Sequence, residues 1–117
     1  MMKSFRTFGL TITLALLGPV PLLAADIPPA TAAQTVITID NFVFTPQTVT
    51  VAKGTTVVWR NRDDTPHRVV ATPPGRIKSP VLDTDETYSW TATDSGTFAY
   101  FCSLHPHMTG TVIVTAN

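Results

Sequence analysis

An all-β sandwich or barrel is the fold class that the sequence predicts. Short apolar stretches with alternating side chains recur along residues 34–117, and turn residues separate them at close intervals. No stretch in this range keeps a helical period long enough to indicate a helix. A chain of 117 residues with about seven such strands can bury one modest core, so we expect a single folded domain.

The candidate strands follow one another with clear breaks. They cover residues 36–39, 48–51, 56–60, 67–71, 87–91, 97–102 and 111–115, and the pair Phe42 and Phe44 follows a break at Asp40-Asn41. Lys53-Gly54 resembles the tight turn of a hairpin. Side chains two apart share one face of a strand, so Phe98, Tyr100 and Cys102 are expected to form one inward row. By the same rule His67 shares an inward face with Val69.

The first 25 residues have the features of a secretory signal peptide. Lys3 and Arg6 precede an uncharged apolar stretch, and small residues follow it at Ala24-Ala25. The stretch is short for a membrane span of ~20 residues and contains two prolines, although an uncleaved N-terminal anchor is the alternative. We expect cleavage after Ala25, and residues 30–32 are the alternative site. The prediction is an exported, periplasmic protein without stable membrane association.

Residues 26–33, rich in proline and small side chains, are expected to be a flexible lead-in to the domain at 34–117. Without the signal peptide the chain has six Lys and Arg against eight Asp and Glu, a formal charge of −2. Nucleic-acid binding requires a basic surface, so this balance argues against it.

Cys102 is the only cysteine, so an exported protein of this sequence cannot form an internal disulfide. It lies in a Cys-x2-His-x2-Met segment whose donors Cys102, His105 and Met108 can reach one point. Thiolate and thioether sulfur with imidazole nitrogen are ligands suited to copper. His67, on a separate strand, would complete two histidines and one cysteine, with Met108 as a weak axial ligand. Such a set is typical of a blue-copper electron-transfer site.

Other interpretations of these residues are weaker. A lone buried cysteine is usually a small apolar side chain, and a single histidine or methionine is more often structural than a ligand. Structural zinc sites favour paired cysteines, which this chain lacks. A Cys–His nucleophile would need a substrate pocket beside the thiol, whereas Cys102 is expected to point inward between aromatic side chains.

Three segments of the chain resemble the cupredoxins, the small blue copper proteins. They are residues 42–46, residues 49–54 with residues 58–67, and residues 96–110, and the likeness extends over nearly all of the chain from Val36 to Val114. The short Cys-x2-His-x2-Met spacing is most similar to that of the amicyanin branch. The family often has asparagine at the position of Arg68, and amicyanins have an aromatic residue at the position of His107.

The resemblance implies a Greek-key β-sandwich that binds one copper ion, which cycles between Cu(I) and Cu(II). It implies His67, Cys102 and His105 as strong ligands and Met108 as the axial ligand. The expected function is therefore an electron carrier and not an enzyme. The alternative is a copper-binding or copper-delivery module, which would share the ligands but hand over the metal.

The edge of His105 is the expected exit point for the electron. Pro66, Pro106 and His107 would surround it with a small, partly apolar patch, which suits weak and transient docking of redox partners to a monomer. A copper enzyme subunit would need further histidines, and the chain has only three.

Overall fold

The computed structural model describes residues 33–73 and 75–116, together with six isolated positions before residue 20. The predicted signal peptide, residues 1–25, and the predicted lead-in, residues 26–33, therefore lie almost wholly outside the described residues. The described part of the chain consists of strands and connections, and none of it forms a helix that could span a membrane.

In the described part of the chain, eight strands form two four-stranded sheets. The strands are β1 (Gln34–Asp40), β2 (Val43–Thr45), β3 (Thr48–Ala52), β4 (Thr56–Asn61), β5 (Val70–Thr72), β6 (Thr87–Thr91), β7 (Gly96–Cys102) and β8 (His105–Thr115). One sheet has the order β2-β1-β4-β6 and the other the order β3-β8-β7-β5. β1 runs parallel to β4 and β3 parallel to β8, whereas the other neighbours are antiparallel. Buried side chains from both sheets form one core, which confirms the predicted all-β sandwich.

The alternation of side chains decides which face of each strand enters the core. In β3 the buried residues are Val49 and Val51, and the residues between and beside them are exposed. In β7 the buried residues are Tyr100 and Cys102, and Phe98 is partly buried. The predicted inward row is therefore confirmed, most strongly at the C-terminal end of the strand. Cys102 is thus fixed at the end of a strand by the same pattern that builds the core.

The prediction of a β3–β4 hairpin at Lys53-Gly54 is wrong. β3 and β4 belong to different sheets, so the turn carries the chain across the sandwich. Gly54 has a φ of 95°, a conformation that favours glycine, and its N–H donates to the carbonyl of Ala92. Residue alternation identifies a strand but not its partner, and a crossing turn can use the same residues as a hairpin turn.

Two other strand boundaries differ from the expectation. The strand expected over residues 67–71 begins only at Val70, and His67 instead makes an isolated two-way backbone bridge with Leu82. The last strand begins at His105 and not at Thr111. His105 is therefore held in a sheet and does not lie on a free loop.

A bulge in β8 accounts for the length of that strand. Phe101 is paired with Thr109, but the next residue of β7, Cys102, is paired with His105. β8 therefore advances by four positions over a single step of β7, and the three residues between His105 and Thr109 form a bulge. Bulges of this kind redirect side chains, and here the bulge makes His105 the cross-strand neighbour of Cys102.

The turn between β1 and β2 has an unusual backbone. Asp40 pairs with Val43, so the connection has only two residues, Asn41 and Phe42, with φ values of 52° and 61°. Two left-handed residues in a two-residue hairpin are typical of a type I′ turn, which prefers Asn-Gly. Asparagine is suited to its position, but a phenylalanine in the left-handed region costs about 1–2 kcal/mol.

Aromatic side chains fill the centre of the core. Tyr100 lies edge-on to Phe44 and to Trp59, with ring centroids 4.8 and 5.3 Å away. Burial raises the pKa of Tyr100 to about 12. The Tyr100 ring lies over its cross-strand partner Gly110, where a Cβ atom would come within 2.2 Å of the ring. Any side chain at position 110 would therefore collide with the Tyr100 ring, so glycine is required there.

Candidate metal centre

Three of the predicted ligands meet at one end of the sandwich. His67 lies in the β4–β5 connection, Cys102 ends β7 and His105 begins β8. The Sγ atom of Cys102 lies 3.8 Å from Nδ1 of His67 and 3.7 Å from Nδ1 of His105. One donor atom from each residue lies within 4.8 Å of the others. Residues 35 positions apart in the chain are thus brought to a single point.

The donors differ in their exposure. His67 and Cys102 are fully buried, whereas His105 is only partly buried. The buried pair is fixed by packing against the core, and His105 forms the outer side of the cluster. The site therefore has two donors buried in the protein and one donor that is close to solvent.

Asp63 fixes the orientation of His67. Its carboxylate oxygen Oδ2 lies 2.7 Å from Nε2 of His67. An ionised carboxylate can only accept a hydrogen bond, so Nε2 carries the proton and Nδ1 keeps its lone pair. That lone pair is on the nitrogen nearest to the Cys102 sulfur. The Asp63–His67 pair therefore prepares Nδ1 to bind a metal ion.

Asn61 holds the connection on which Asp63 and His67 lie. Asn61 is fully buried at the end of β4, and its side-chain amide donates to the carbonyls of Thr65 and Leu82. Its side-chain oxygen accepts the N–H of Asp63 at 2.9 Å. Because Leu82 also bridges the backbone of His67, one buried amide ties the connection to the neighbouring segment.

The Asp63 carboxylate is stabilised in its ionised form. Partial burial acts to raise its pKa, but hydrogen bonds from the N–H of Phe42, from His67 and from the N–H of Asn41 outweigh burial and leave the pKa below its usual value. A lowered pKa in the folded state means that the ionised carboxylate contributes stability above the unfolded pKa of ~3.9. That contribution is lost as the pH falls through the folded-state pKa.

We expect this carboxylate to make metal-free protein sensitive to acid. Asp63→Asn should lower the free energy of unfolding at pH 7 by about 1–3 kcal/mol, because hydrogen bonds to a charged group are lost. It should also flatten the decline in stability between about pH 5 and pH 2. Urea unfolding across this range measures both effects, and Asp64→Asn, at an exposed neighbour, should retain the wild-type profile. An unchanged acid profile in Asp63→Asn would contradict this role for the carboxylate.

The cysteine sulfur accepts a main-chain hydrogen bond. The N–H of Arg68 lies 3.4 Å from Sγ of Cys102. The Arg68 side chain points elsewhere, since its Nε–H donates to the carbonyl of Ser79 at 2.9 Å. Arginine at this position therefore keeps the backbone bond to sulfur, and its side chain holds the Ser79 segment in place. A main-chain donor to the sulfur helps to fix the orientation of the Cys102 side chain.

Met108 and His107 lie on the bulged part of β8. Met108 is buried and His107 is exposed. Both line a cavity of about 190 Å³ together with Phe42, Phe44 and neighbouring side chains. His107 is not part of the three-donor cluster, which agrees with its prediction as a surface residue.

The three donors fit a transition-metal ion. Donor atoms about 2.0–2.3 Å from an ion in a trigonal plane would lie ~3.5–4 Å apart, which is the range of the two sulfur–nitrogen distances. Two imidazoles and one thiolate are the trigonal ligand set of blue-copper sites. The donor chemistry and the spacing thus agree on the same class of metal.

Comparison with known proteins settles the family. The family model described as a cupredoxin-like domain matches residues 11–114. The chain belongs to the cupredoxin family. It is 33% identical to the amicyanin of Paracoccus versutus over 98 residues, which are 80% of this chain and 72% of that protein. It is 34% identical to amicyanin-alpha of Methylorubrum extorquens over 89 residues, 73% of this chain and 75% of the relative.

Solved structures give the same result as the sequences. The Cu(I) form of an amicyanin variant superposes with a TM-score of 0.67 at 33% identity, covering 71% of this chain and 83% of that one. Together with the donor set, family membership confirms the predicted copper cofactor and indicates a blue copper electron-transfer protein.

Two residues beside the cupredoxin site were not predicted from the sequence. Asp63 lies four positions before His67, and Phe42 lies 25 positions before it, in the β1–β2 turn. A carboxylate just upstream of a candidate ligand histidine was an available signal for Asp63. Phe42 gave no signal, because its contact with the histidines depends on the left-handed conformation of the turn.

Proposed function

We propose that this cupredoxin is an exported electron carrier in which His67, Cys102 and His105 bind copper through Nδ1, Sγ and Nδ1. Met108 is the axial ligand in this proposal. The observation that carries it is the meeting of two imidazole nitrogens and the only thiol within 4.8 Å in a largely buried cluster. Bound copper supplies a one-electron couple between Cu(I) and Cu(II).

The surrounding residues keep the donors in one arrangement. Asp63 holds the tautomer of His67, and the Arg68 N–H holds the thiolate. Core packing fixes Cys102, and the pairing of β7 with β8 fixes His105 opposite to it. A donor set that does not rearrange favours fast electron transfer, because little energy is then spent in moving ligands between the two oxidation states.

His105 is the proposed exit for the electron. It is the only partly exposed member of the cluster. Pro106 and His107 follow it directly in the chain, Pro66 directly precedes His67, and all three are exposed. A small patch of this composition supports weak, transient docking of protein redox partners to a monomer. Export rests on the N-terminal sequence, for which residues 1–25 are the proposed signal peptide.

The proposal excludes a catalytic role for Cys102. The thiol is fully buried and faces two imidazoles at 3.7–3.8 Å, so a substrate has no direct approach to its sulfur. Copper delivery shares the same ligands, and the partly exposed His105 would be the side from which metal leaves.

Repeated redox cycling distinguishes an electron carrier from a copper-delivery protein. Purified protein loaded with one equivalent of Cu(II) should be blue, and should be reduced and reoxidised by small redox agents over many cycles without loss of colour. The cycles are run with and without a mild Cu(I) chelator at neutral pH. Rapid loss of copper from the reduced protein to the chelator would favour delivery, and a colourless Cu(II) protein would contradict the proposed site.

A further inference from the structure

Phe42 occupies a position where its own backbone conformation is unfavourable. It is the second residue of the two-residue β1–β2 turn, with a φ of 61°, and its side chain is 40% exposed. Glycine is the preferred residue there because it has no Cβ atom. Backbone strain at a partly exposed turn residue indicates that its side chain makes contacts that compensate for the strain.

The Phe42 ring contacts both histidines of the cluster. It lies edge-on to His67, with centroids 5.3 Å apart, and edge-on to His105, with centroids 5.1 Å apart. The two imidazole rings are themselves 5.1 Å apart. The three rings thus form a triangle, and the partly exposed Phe42 ring packs against both imidazoles.

Asp63 anchors this ring to the site. Its Oδ1 accepts the N–H of Asn41 at 2.6 Å, and its Oδ2 accepts the N–H of Phe42 at 3.0 Å. The same Oδ2 accepts Nε2–H of His67. One carboxylate therefore fixes the turn that carries Phe42 and the histidine that Phe42 contacts, so the position of the ring is set relative to the donors.

We propose that Phe42 is a positioning residue that holds His105 against the metal and slows the exchange of copper with the solvent. This inference rests on the proposed function, because it takes His105 to be a copper ligand. It accounts for a phenylalanine where backbone conformation favours glycine: a glycine would relieve the backbone but remove the ring that packs against both imidazoles.

Copper release from Phe42→Gly tests the proposal. Glycine suits the turn, so the variant should fold and bind blue copper, but the reduced protein should lose copper to a Cu(I) chelator at least tenfold faster than the wild type. Val43→Ala removes an exposed side chain from the same hairpin and should stay within twofold of the wild type. Phe42→Leu keeps a bulky side chain without the ring, and it should also release copper faster than the wild type. If the glycine variant does not fold, the release rate of Phe42→Leu decides the test.

A measurement without metal separates positioning from a general loosening of the fold. In NMR spectra of the metal-free protein, proton–proton contacts between the His105 ring and the Cys102 side chain should weaken in Phe42→Gly, while those between Phe44 and Tyr100 in the core stay as in the wild type. Wild-type release rates in both Phe42 variants, or unchanged contacts between the His105 ring and Cys102, would overturn the inference. A wild-type protein that does not bind blue copper would instead overturn the proposed function, and the NMR result would still decide whether Phe42 positions the rings.

Discussion

Replacement of Cys102 by serine is expected to abolish the intense blue absorption of the Cu(II) protein. The colour of a blue-copper site arises from charge transfer between cysteine sulfur and copper, and Cys102 is the only thiol in the chain. Its sulfur is buried and lies within 3.8 Å of both histidine Nδ1 atoms, so no other side chain can take its place. A serine hydroxyl does not ionise readily and is a poor match for copper in this soft ligand set.

Visible and EPR spectra after titration with Cu(II) measure the effect. The serine variant should retain the fold, since it differs by one atom, and any copper it binds through the two histidines should give a nearly colourless, tetragonal spectrum. His107→Phe is the matched control on the neighbouring strand: its side chain lies outside the donor cluster, so the variant should remain blue. Retention of the blue band in Cys102→Ser, or its loss in His107→Phe, would contradict the ligand assignment.

Substitution of Gly110 by alanine should cause a large loss of stability in the metal-free protein. The new methyl group would lie 2.2 Å from both Cζ and the hydroxyl oxygen of Tyr100. The Tyr100 ring cannot move aside easily, because Phe44 and Trp59 pack against it. Overpacking of a core costs about 1–3 kcal/mol and occasionally more, and we expect ~3 kcal/mol here because the contact involves a buried ring and a strand backbone.

Thermal and urea unfolding of the metal-free variant test this expectation. A loss of 1 kcal/mol lowers the Tm of a domain of this size by about 4–8 °C, so the shift should be unmistakable. Gly75→Ala is the control, since a Cβ atom there would meet no atom within 4 Å. In a Tyr100→Leu background the added cost of Gly110→Ala should be much smaller, because the contact that causes it is gone. Equal costs in the two backgrounds would show that the clash with Tyr100 is not the cause.

The donors could be predicted from the sequence because chemistry restricts them strongly. A single thiol with histidine and methionine at a fixed spacing is typical of few sites besides a copper centre, and alternation placed Cys102 on the buried face of its strand. The pairing of strands was harder to predict. Lys53-Gly54 has the residues of a hairpin turn, but β3 and β4 belong to different sheets. The roles of Asp63 and Phe42 depend on how the β1–β2 turn meets the β4–β5 connection, and such contacts between distant segments leave no local pattern in a sequence.

The parallel pairings of β1 with β4 and of β3 with β8 delay the completion of the fold. Strands that pair across long stretches of chain must close large loops first, and β-sandwiches of this kind fold in milliseconds to seconds. His67 lies 35 residues from Cys102, so before the sheets assemble a nascent chain presents only the local Cys102–His105 segment to a metal ion. During that interval the thiol is also open to oxidants. The speed of folding therefore determines how long the only cysteine remains vulnerable before burial protects it.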